Sequence, residues 1–582
     1  MDLRLMLERP TDAERAAVDA LLGADESFNG RVAYGGHSAR AQRHLLLPAL
    51  HALQDAAGAV TKGGLAYVCE RLTVPPAEAY GVATFYALFD VDGNGGATIH
   101  VCDDIVCAQY GAEDLCSALE ERGADYHRSP CLGQCDRAPA AMFHQPGIGY
   151  GNAAPVNSHS VAEPVFEELS PGFMHQDPAD VILLSRIGVV DPDSLDSYRR
   201  LGGFETLSRV RVAGADAAIA ELKKSNLRGR GGAAFPIGVK WEGVRDAPGN
   251  EKYVIANGDE SEPGTFKDRL LMEADPFALI EAMAIYGFVT GAQKGFIYVR
   301  GEYPTAERRL RNAIIQSEKA GLVGDSFSLE VRRGAGAYIC GEETALFASI
   351  EGLRGEPRQK PPFPTQSGLF GKPTGINNIE TLFAALYVLA VGGEAFASIG
   401  TEQSTGPKLF CVSGAVEKPG VYEVPFGSTL GELLVLAGGV RDGRSLDAVL
   451  LGGAAGVFAD PSALDVALTF EDTRAAGLTL GSGSIIFFDD RTEFGPVLRR
   501  IARFFRDESC GQCVPCRIGT VRQEEALARL EARQPFGSEA TERKRLDDLA
   551  LVMTDASICG LGQTASSAVQ SAMRLGLYGA PT

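Results

Sequence analysis

The sequence predicts a multidomain α/β protein, and three observations predict it. The chain has 582 residues, enough for several domains with their own cores. Its hydrophobic content of 45% and charged content of 22% place it with ordinary globular proteins. Blocks of helical and strand periodicity also alternate along it. The blocks divide as 1–92 helical, 93–170 small α/β, 171–204 connector, 205–402 large glycine-rich α/β, 403–492 β-rich and 493–582 helical.

In the first block, "PALHALQDAAGAV" and "GGLAYVCERLTVPPAEAYGVATFYALF" carry apolar residues at i, i+3, i+4 spacing. "DGNGG" at 92–96 reads as a turn. "ATIHVC" then alternates like a strand, and "AEDLCSALEERG" reads as a helix ended by Gly123. "AAMFHQ" and "GIGYGN" form a predicted hairpin, and "VAEPVFEELS" a closing helix. After the connector and the glycine-rich block, "KLFCVSGAVEKPGVYEVPFGSTLGELLVLAGG" opens the β-rich segment. In the last block Val497, Ile501 and Phe504 line one helical stripe; Leu546, Leu549 and Met553 line another.

The formal net charge is −20, which opposes binding to nucleic acid and to anionic membrane surfaces. "MDLRLMLERPTDAERAAVDALL" lacks the apolar core of a secretory signal. The longest apolar run, "LFAALYVLAVGG", stops at Gly392 and Gly393 and is too short for a bilayer. The expectation is a soluble, cytoplasmic protein without direct membrane insertion.

Twelve cysteines in such a chain read as metal ligands before disulfides, and eight fall into two groups of four. Cys102 and Cys107 are separated by four residues, Cys131 and Cys135 by three. Two such pairs from two loops of one small unit can supply both irons of a 2Fe–2S cluster. The first pair sits where a strand passes into a helix, so free N–H groups can face the sulfide charge. "ESCGQCVPCRIGT" packs Cys510, Cys513 and Cys516 at two-residue spacing. Three thiolates on a tight turn suit three corners of a 4Fe–4S cube. Cys559, in "DASICGLGQTA", is the remaining cysteine of that helical region and the expected fourth corner. Structural zinc remains the alternative at both groups, although zinc sites favour separated C-x2-C knuckles. Cys69, Cys116, Cys340 and Cys411 have no such grouping and read as buried thiols.

In these motifs, residues from about 205 onward resemble the flavin- and NADH-binding subunit of NADH:quinone oxidoreductase (complex I). Residues from about 20 to 170 resemble its thioredoxin-like 2Fe–2S partner subunit. The fusion is more like the diaphorase subunits of soluble NAD-linked enzymes. "VCDDIVCAQYGAEDL" and "SPCLGQCDRAPA" look closest to the β subunit of NAD-dependent, molybdenum- or tungsten-containing formate dehydrogenases. NAD-reducing hydrogenases have a similarly fused subunit. The resemblance implies a thioredoxin-like 2Fe–2S domain, a Rossmann-like FMN/NADH domain, a β-grasp domain and a helical bundle holding 4Fe–4S. It also implies a large catalytic partner, the formate dehydrogenase α subunit.

"LRGRGGAAFPIGVKW", 227–241, has the glycine density of a phosphate cradle, with Gly229, Gly231 and Gly232 open to close approach. A helix-like "AAIAELKKS" precedes it, so the strand–loop–helix context of a dinucleotide fingerprint is missing, and a plain surface loop stays open. The resemblance implies that Gly229, Gly231 and Lys240 hold FMN and that Phe235 lies near the adenine of NADH. In "NGDESEPGTFKD" it places Asn257, Asp259 and Glu260 on FMN and Glu262 beside the nicotinamide. "GAGAYICGEETAL" offers another glycine-rich turn, with Gly341, Glu342 and Glu343 near cofactor and substrate. Lys360 and Phe363 go to the nucleotide, and Asn377 and Asn378 to FMN. Two departures stand out: Ala234 replaces a usual third glycine, and Glu242 and Gly243 follow Trp241 where relatives often have an aromatic.

NADH gives two electrons as hydride and a cluster takes one, so a flavin must stand between them. The β-grasp segment carries no obvious chemistry. No pterin domain or nickel ligand is visible, so the substrate oxidised at the far end is expected to belong to the partner.

Overall fold

The computed structural model describes residues 8–23, 42–91, 95–162, 166, 169 and 172–578. The first part of the predicted turn at 92–96, most of the closing helix at 161–170, and residues 1–7 and 24–41 of the N-terminal block lie outside the described residues.

The N-terminal block is helical as its periodicity predicts: Asp12–Leu22, Leu46–Ala57, Lys62–Leu72 and Pro76–Ala83. Thr11 and Glu14 form a reciprocal cap on the first helix. Leu46, Leu50 and Leu53, spaced at i, i+4, i+7, are fully buried. Next come β1 (Thr98–Cys102), β2 (Tyr126–Ser129), β3 (Ala141–Gln145) and β4 (Gly149–Ala153) in the order β2-β1-β3-β4. β1 and β2 run parallel, joined through helix Ala112–Glu121, and β3–β4 is the predicted hairpin. Both pairs of the first cysteine group lie at one end of this sheet.

The segment 172–204 is more ordered than a loose connector. Val421 donates its N–H to Phe173 O, and the Glu423 carboxylate accepts N–H bonds from Ile182, Leu183 and Leu184. One buried carboxylate thus organises a strap that carries no periodic pattern of its own.

The large domain holds β5 (Tyr253–Gly258), β6 (Lys294–Val299), β7 (Ser328–Arg333) and β8 (Thr374–Asn378), all parallel, in the order β7-β6-β5-β8. Val254, Ile255 and Ala256 are buried on both faces of the sheet, as parallel strands require. The chain leaves β5 for β6 on one side and later returns with β8 on the other. A crevice therefore opens beyond the C-terminal ends of β5 and β8, the switch point where such sheets bind ligands.

Five more strands, β9 (Pro407–Gly414), β10 (Gly420–Pro425), β11 (Leu446–Leu451), β12 (Val457–Ala459) and β13 (Ser484–Asp489), form a mixed sheet ordered β10-β9-β13-β11-β12. Its alternation divides two cores. Phe410 and Val412 face the domain's own helix Leu430–Leu436, while Leu409 and Cys411 join the main core. The C-terminal bundle comprises Phe494–Asp507, Val514–Glu531, Glu539–Ala556, Gly560–Thr564 and Ser567–Arg574. Of the predicted stripes, Val497, Ile501, Phe504, Leu546 and Met553 are buried and Leu549 is half-buried.

Candidate functional site

The crevice at the switch point is a cavity of about 650 Å³. Its wall includes Gly229, Gly231, Gly232, Phe235, Lys240, Asn257, Asp259, Glu260, Glu262, Gly341, Glu342, Glu343, Lys360, Asn377 and Asn378. Phe363, 55% exposed, does not line it.

The loop 227–236 lies between helices Ala215–Lys224 and Ile237–Asp246 and closes on itself, with Gly229 N–H donating to Phe235 O at 3.0 Å. A Cβ on Gly231 would stand 3.0 Å from Asn378 Cβ, so the missing side chain is what lets this backbone line the cavity. Ala234 takes φ +51, a left-handed conformation that costs an L-residue about 1 kcal/mol and explains a preference for glycine there. Arg230 turns away from the cavity, its N–H on Thr381 Oγ1 and its guanidinium on Thr405 O, which ties the loop to the start of the β-grasp domain.

At the strand ends each polar side chain is held by another group. Asn257 donates to Gly341 O at 2.9 Å, Trp241 Nε1 donates to Asn377 Oδ1 at 3.0 Å, and Asn378 donates to Asp268 at 2.5 Å. Trp241 also stacks on Tyr286, and the following Glu242 pairs outward with Lys223. Glu260 accepts N–H bonds from Asp268 and Arg269 at the start of helix Lys267–Ala274. Its burial, reinforced by the Asp268 charge, raises it to about 8. Glu262 accepts from Tyr338 Oη at 2.5 Å and from Ala455 N at 2.8 Å, and burial raises it to about 7. Lys240 donates to Ile376 O, and burial lowers its pKa. Lys360 bridges Glu342 (2.9 Å) and Glu343 (2.5 Å) nearer the surface.

The β-grasp domain does take part, contrary to the expectation. Gly452, Ala455, Thr479, Gly481 and Ser482 line the cavity, and Gly453 approaches Glu262 so closely that a Cβ would lie 2.5 Å from its Cγ. The glycines of "LGGAAG" and "LGSGS" were the available signal. Spacing gave no sign of Ser261, Tyr338, Ile339, Thr381 or Leu561, which also line the cavity.

Cys510, Cys513, Cys516 and Cys559 line one small hollow with Ile339 and Leu561. Cys513 and Cys559 precede the first turns of two helices, so free N–H groups face inward; those of Leu561 and Gly562 point at the Cys559 sulfur. Ile339 and Leu561 belong to both walls, hollow and cavity. The two spaces are therefore separated by one layer of apolar side chains.

Cys102, Cys107, Cys131 and Cys135 gather at the end of β1 and β2, each 3% exposed or less, with Cys131 and Cys135 Sγ 3.3 Å apart. Asp104 fixes both loops by accepting from Ile105 N and Cys131 N. Arg300 bridges to the cavity, donating to Glu260 O at 2.7 Å and Cys131 O at 2.6 Å. Gly133, at φ +68, lies against Tyr303, whose Oη would be 2.2 Å from an added Cβ. Cys69, Cys116, Cys340 and Cys411 are buried elsewhere, as expected of core thiols.

Four protein families match this chain: "Nuo51 FMN-binding domain" over 222–386, "NADH-ubiquinone oxidoreductase-F iron-sulfur binding region" over 496–575, "Thioredoxin-like [2Fe-2S] ferredoxin" over 35–161 and "SLBB domain" over 409–454. An F-type NADH-quinone oxidoreductase subunit of Rhizobium meliloti (strain 1021) is 42% identical over 402 residues, 68% of this chain and 95% of that protein. The chain belongs to the family of F-type NADH-quinone oxidoreductase subunits. It is a flavo-iron–sulfur subunit of an NAD(H) oxidoreductase, a diaphorase module with FMN, one 2Fe–2S and one 4Fe–4S cluster. Within this wider relationship, the NADP-reducing hydrogenase subunit HndC of Solidesulfovibrio fructosivorans is 41% identical over 394 residues, 66% of this chain and 80% of that protein. A chain of the crystal structure of an air-oxidised NAD+-reducing [NiFe]-hydrogenase superposes with a TM-score of 0.80 at 30% identity, covering 94% of each chain. The family matches replace the zinc alternative with iron–sulfur at both regions. The residues fit these groups: a cradle without side chains for a phosphate, and two gathered sets of four thiols. Among the described residues no helix is long and apolar enough to cross a membrane.

Proposed function

We propose that this chain exchanges electrons between NAD(H) and a separate catalytic subunit, that of a cytoplasmic NAD-dependent molybdenum- or tungsten-containing formate dehydrogenase. The observation that carries the electron-transfer reading is the shared Ile339–Leu561 wall between cavity and four-cysteine hollow. The formate reading rests on "VCDDIVCAQYGAEDL" and "SPCLGQCDRAPA".

FMN, when bound, takes hydride from NADH and passes electrons on singly. Gly231 and Gly232 offer N–H groups to its phosphate, Gly229 closes the loop that presents them through its bond to Phe235 O, and Lys240 adds a charge. Asn257, Asp259, Glu260, Gly341, Glu342, Asn377 and Asn378 orient the ring system. Phe235, Lys360 and Glu343 receive the nucleotide, and Glu262 aligns the nicotinamide; hydride transfer needs this positioning and no general base. Cys102, Cys107, Cys131 and Cys135 hold 2Fe–2S; Cys510, Cys513, Cys516 and Cys559 hold 4Fe–4S.

A second reading, the diaphorase subunit of an NAD-reducing hydrogenase, is favoured by the match over 94% of both chains, fused N-terminal part included. Purifying the native complex, identifying the large subunit and its metal, and comparing formate- with hydrogen-dependent NAD+ reduction decides between them. Formate-dependent reduction with a molybdenum or tungsten subunit is expected. Hydrogen-dependent reduction with nickel overturns the formate reading.

A further inference from the structure

Oxidation of one NADH yields NAD+, two electrons and one proton, and one-electron metal centres remove only the electrons. A nucleotide seated at the outer end of the cavity, between Phe235, 48% exposed, and Lys360, fills the path by which it entered. The proton left at the inner end needs another way out, and the same way in when NAD+ is reduced.

Behind the inner wall lies a second chamber of about 180 Å³, lined by both polar and apolar groups, with room for several waters. Ser261 and Tyr338 line both spaces, and the Tyr338 hydroxyl is committed to Glu262 at 2.5 Å. On the cavity side the Ser261 hydroxyl is 3.2 Å from Asp259 Oδ1, and Asp259 Oδ2 is buried with no hydrogen-bond partner. On the chamber side are Arg300 and Glu302, 2% and 6% exposed, whose Nε and Oε2 are likewise buried without partners. Such atoms call for water. The far wall reaches the surface at His127, which is exposed.

We infer that Asp259, Ser261 and the water of this chamber form a proton channel from the inner end of the cavity to the surface at His127. The inference rests on the cavity being the seat of FMN and NAD(H). In each passage Asp259 gives its Oδ1–H proton to Ser261 Oγ as Oδ2 takes up the proton left in the cavity, and Ser261 gives its own hydroxyl proton to chamber water. One unit of positive charge moves outward, and no bond other than O–H forms or breaks. A hydroxyl suits this because it donates, accepts and rotates. Burial, with Arg300 opposing and Glu302 adding, raises the Asp259 carboxyl well above its ordinary range, so it can hold a proton near neutrality. His100, Arg128, Tyr338 and Glu508 also face the chamber; burial raises Glu508 to about 7, its Oε2 accepts from Tyr338 N, and none of the four is a link in the channel.

The test uses the cofactor-loaded chain, anaerobically mixed with NADH in weak buffer containing a pH indicator, with freeze-quench EPR of the clusters. In the wild type, proton release keeps pace with cluster reduction. Ser261→Ala slows both at least about tenfold, with flavin bleaching by NADH now running ahead of them, and gains a solvent isotope effect. Ser261→Thr, which keeps the hydroxyl, restores the rates. Proton release at the wild-type rate from Ser261→Ala overturns the channel. Gly231→Val tests the seat separately: loss of FMN supports it, whereas full FMN content with undiminished NADH bleaching overturns the cavity reading itself.

Discussion

The two cysteine groups occupy opposite kinds of environment. The first is sealed: all four thiols are at most 3% exposed, enclosed by their own sheet and by Arg300 and Tyr303 of the large domain. The second is open: only Cys516 is fully buried, while Cys510, Cys513 and Cys559 are half-exposed around a hollow one side-chain layer from the nucleotide cavity. A centre in the second position can face both the flavin and a partner protein. A centre in the first is shielded from solvent and reaches the cavity through Arg300. The contrast is one of access: the second group lies one apolar layer from the cavity and is partly open to solvent, and the first is closed to solvent and joined to the cavity wall by Arg300.

The sharpest way to break this contrast is Cys559→Ser. It is expected to abolish the normal 4Fe–4S EPR signal and electron delivery to the partner, while FMN stays bound and NADH still reduces an artificial dye. An unchanged signal rules out Cys559 as a ligand. The corresponding probe of the sealed site is Gly133→Ala, which forces a Cβ against Tyr303 at positive φ. It should cost about 2–4 kcal/mol in thermal unfolding and weaken the 2Fe–2S signal. A full signal with unchanged melting breaks the account of a site held shut by the large domain. Iron removal should follow exposure: under a soluble chelator the 4Fe–4S signal decays severalfold faster than the 2Fe–2S signal. Equal decay means that both sites open together.

The smallest effect concerns Glu262, which feels both sides through Tyr338 and through the Asp104 and Cys131 charges. Burial raises it from 4.5 to about 7, so the folded protein keeps a proton that the unfolded chain releases. Its contribution to stability is therefore complete below about pH 4.5, declines as pH rises and is gone above about 7. In flavin-stripped protein Glu262→Gln should flatten that slope and gain on the order of 1 kcal/mol at pH 8. An identical pH profile means that this carboxyl is solvated.

Much of this was legible locally. Periodicity marked the N-terminal helices, the β3–β4 hairpin and the alternating strands, because a helix or strand buries one face at a fixed period. Cys559 was found by elimination, and it does meet Cys510, Cys513 and Cys516 at one hollow. The strap at 172–204 was not legible, since one distant carboxylate, Glu423, organises it. Phe363 was expected at the nucleotide, and the cavity wall passes it by.

The sequence by itself determined the parts: which thiols group, which glycine-rich strings can approach a phosphate, and the order of the domains. These are properties of residue type and short spacing, fixed before the chain folds. Only the tertiary structure decided how the parts meet. The thin Ile339–Leu561 wall, the Arg300 bridge and the β-grasp backbone against Glu262 join segments a hundred or more residues apart. Such meetings depend on strand order and domain packing, which no local spacing encodes.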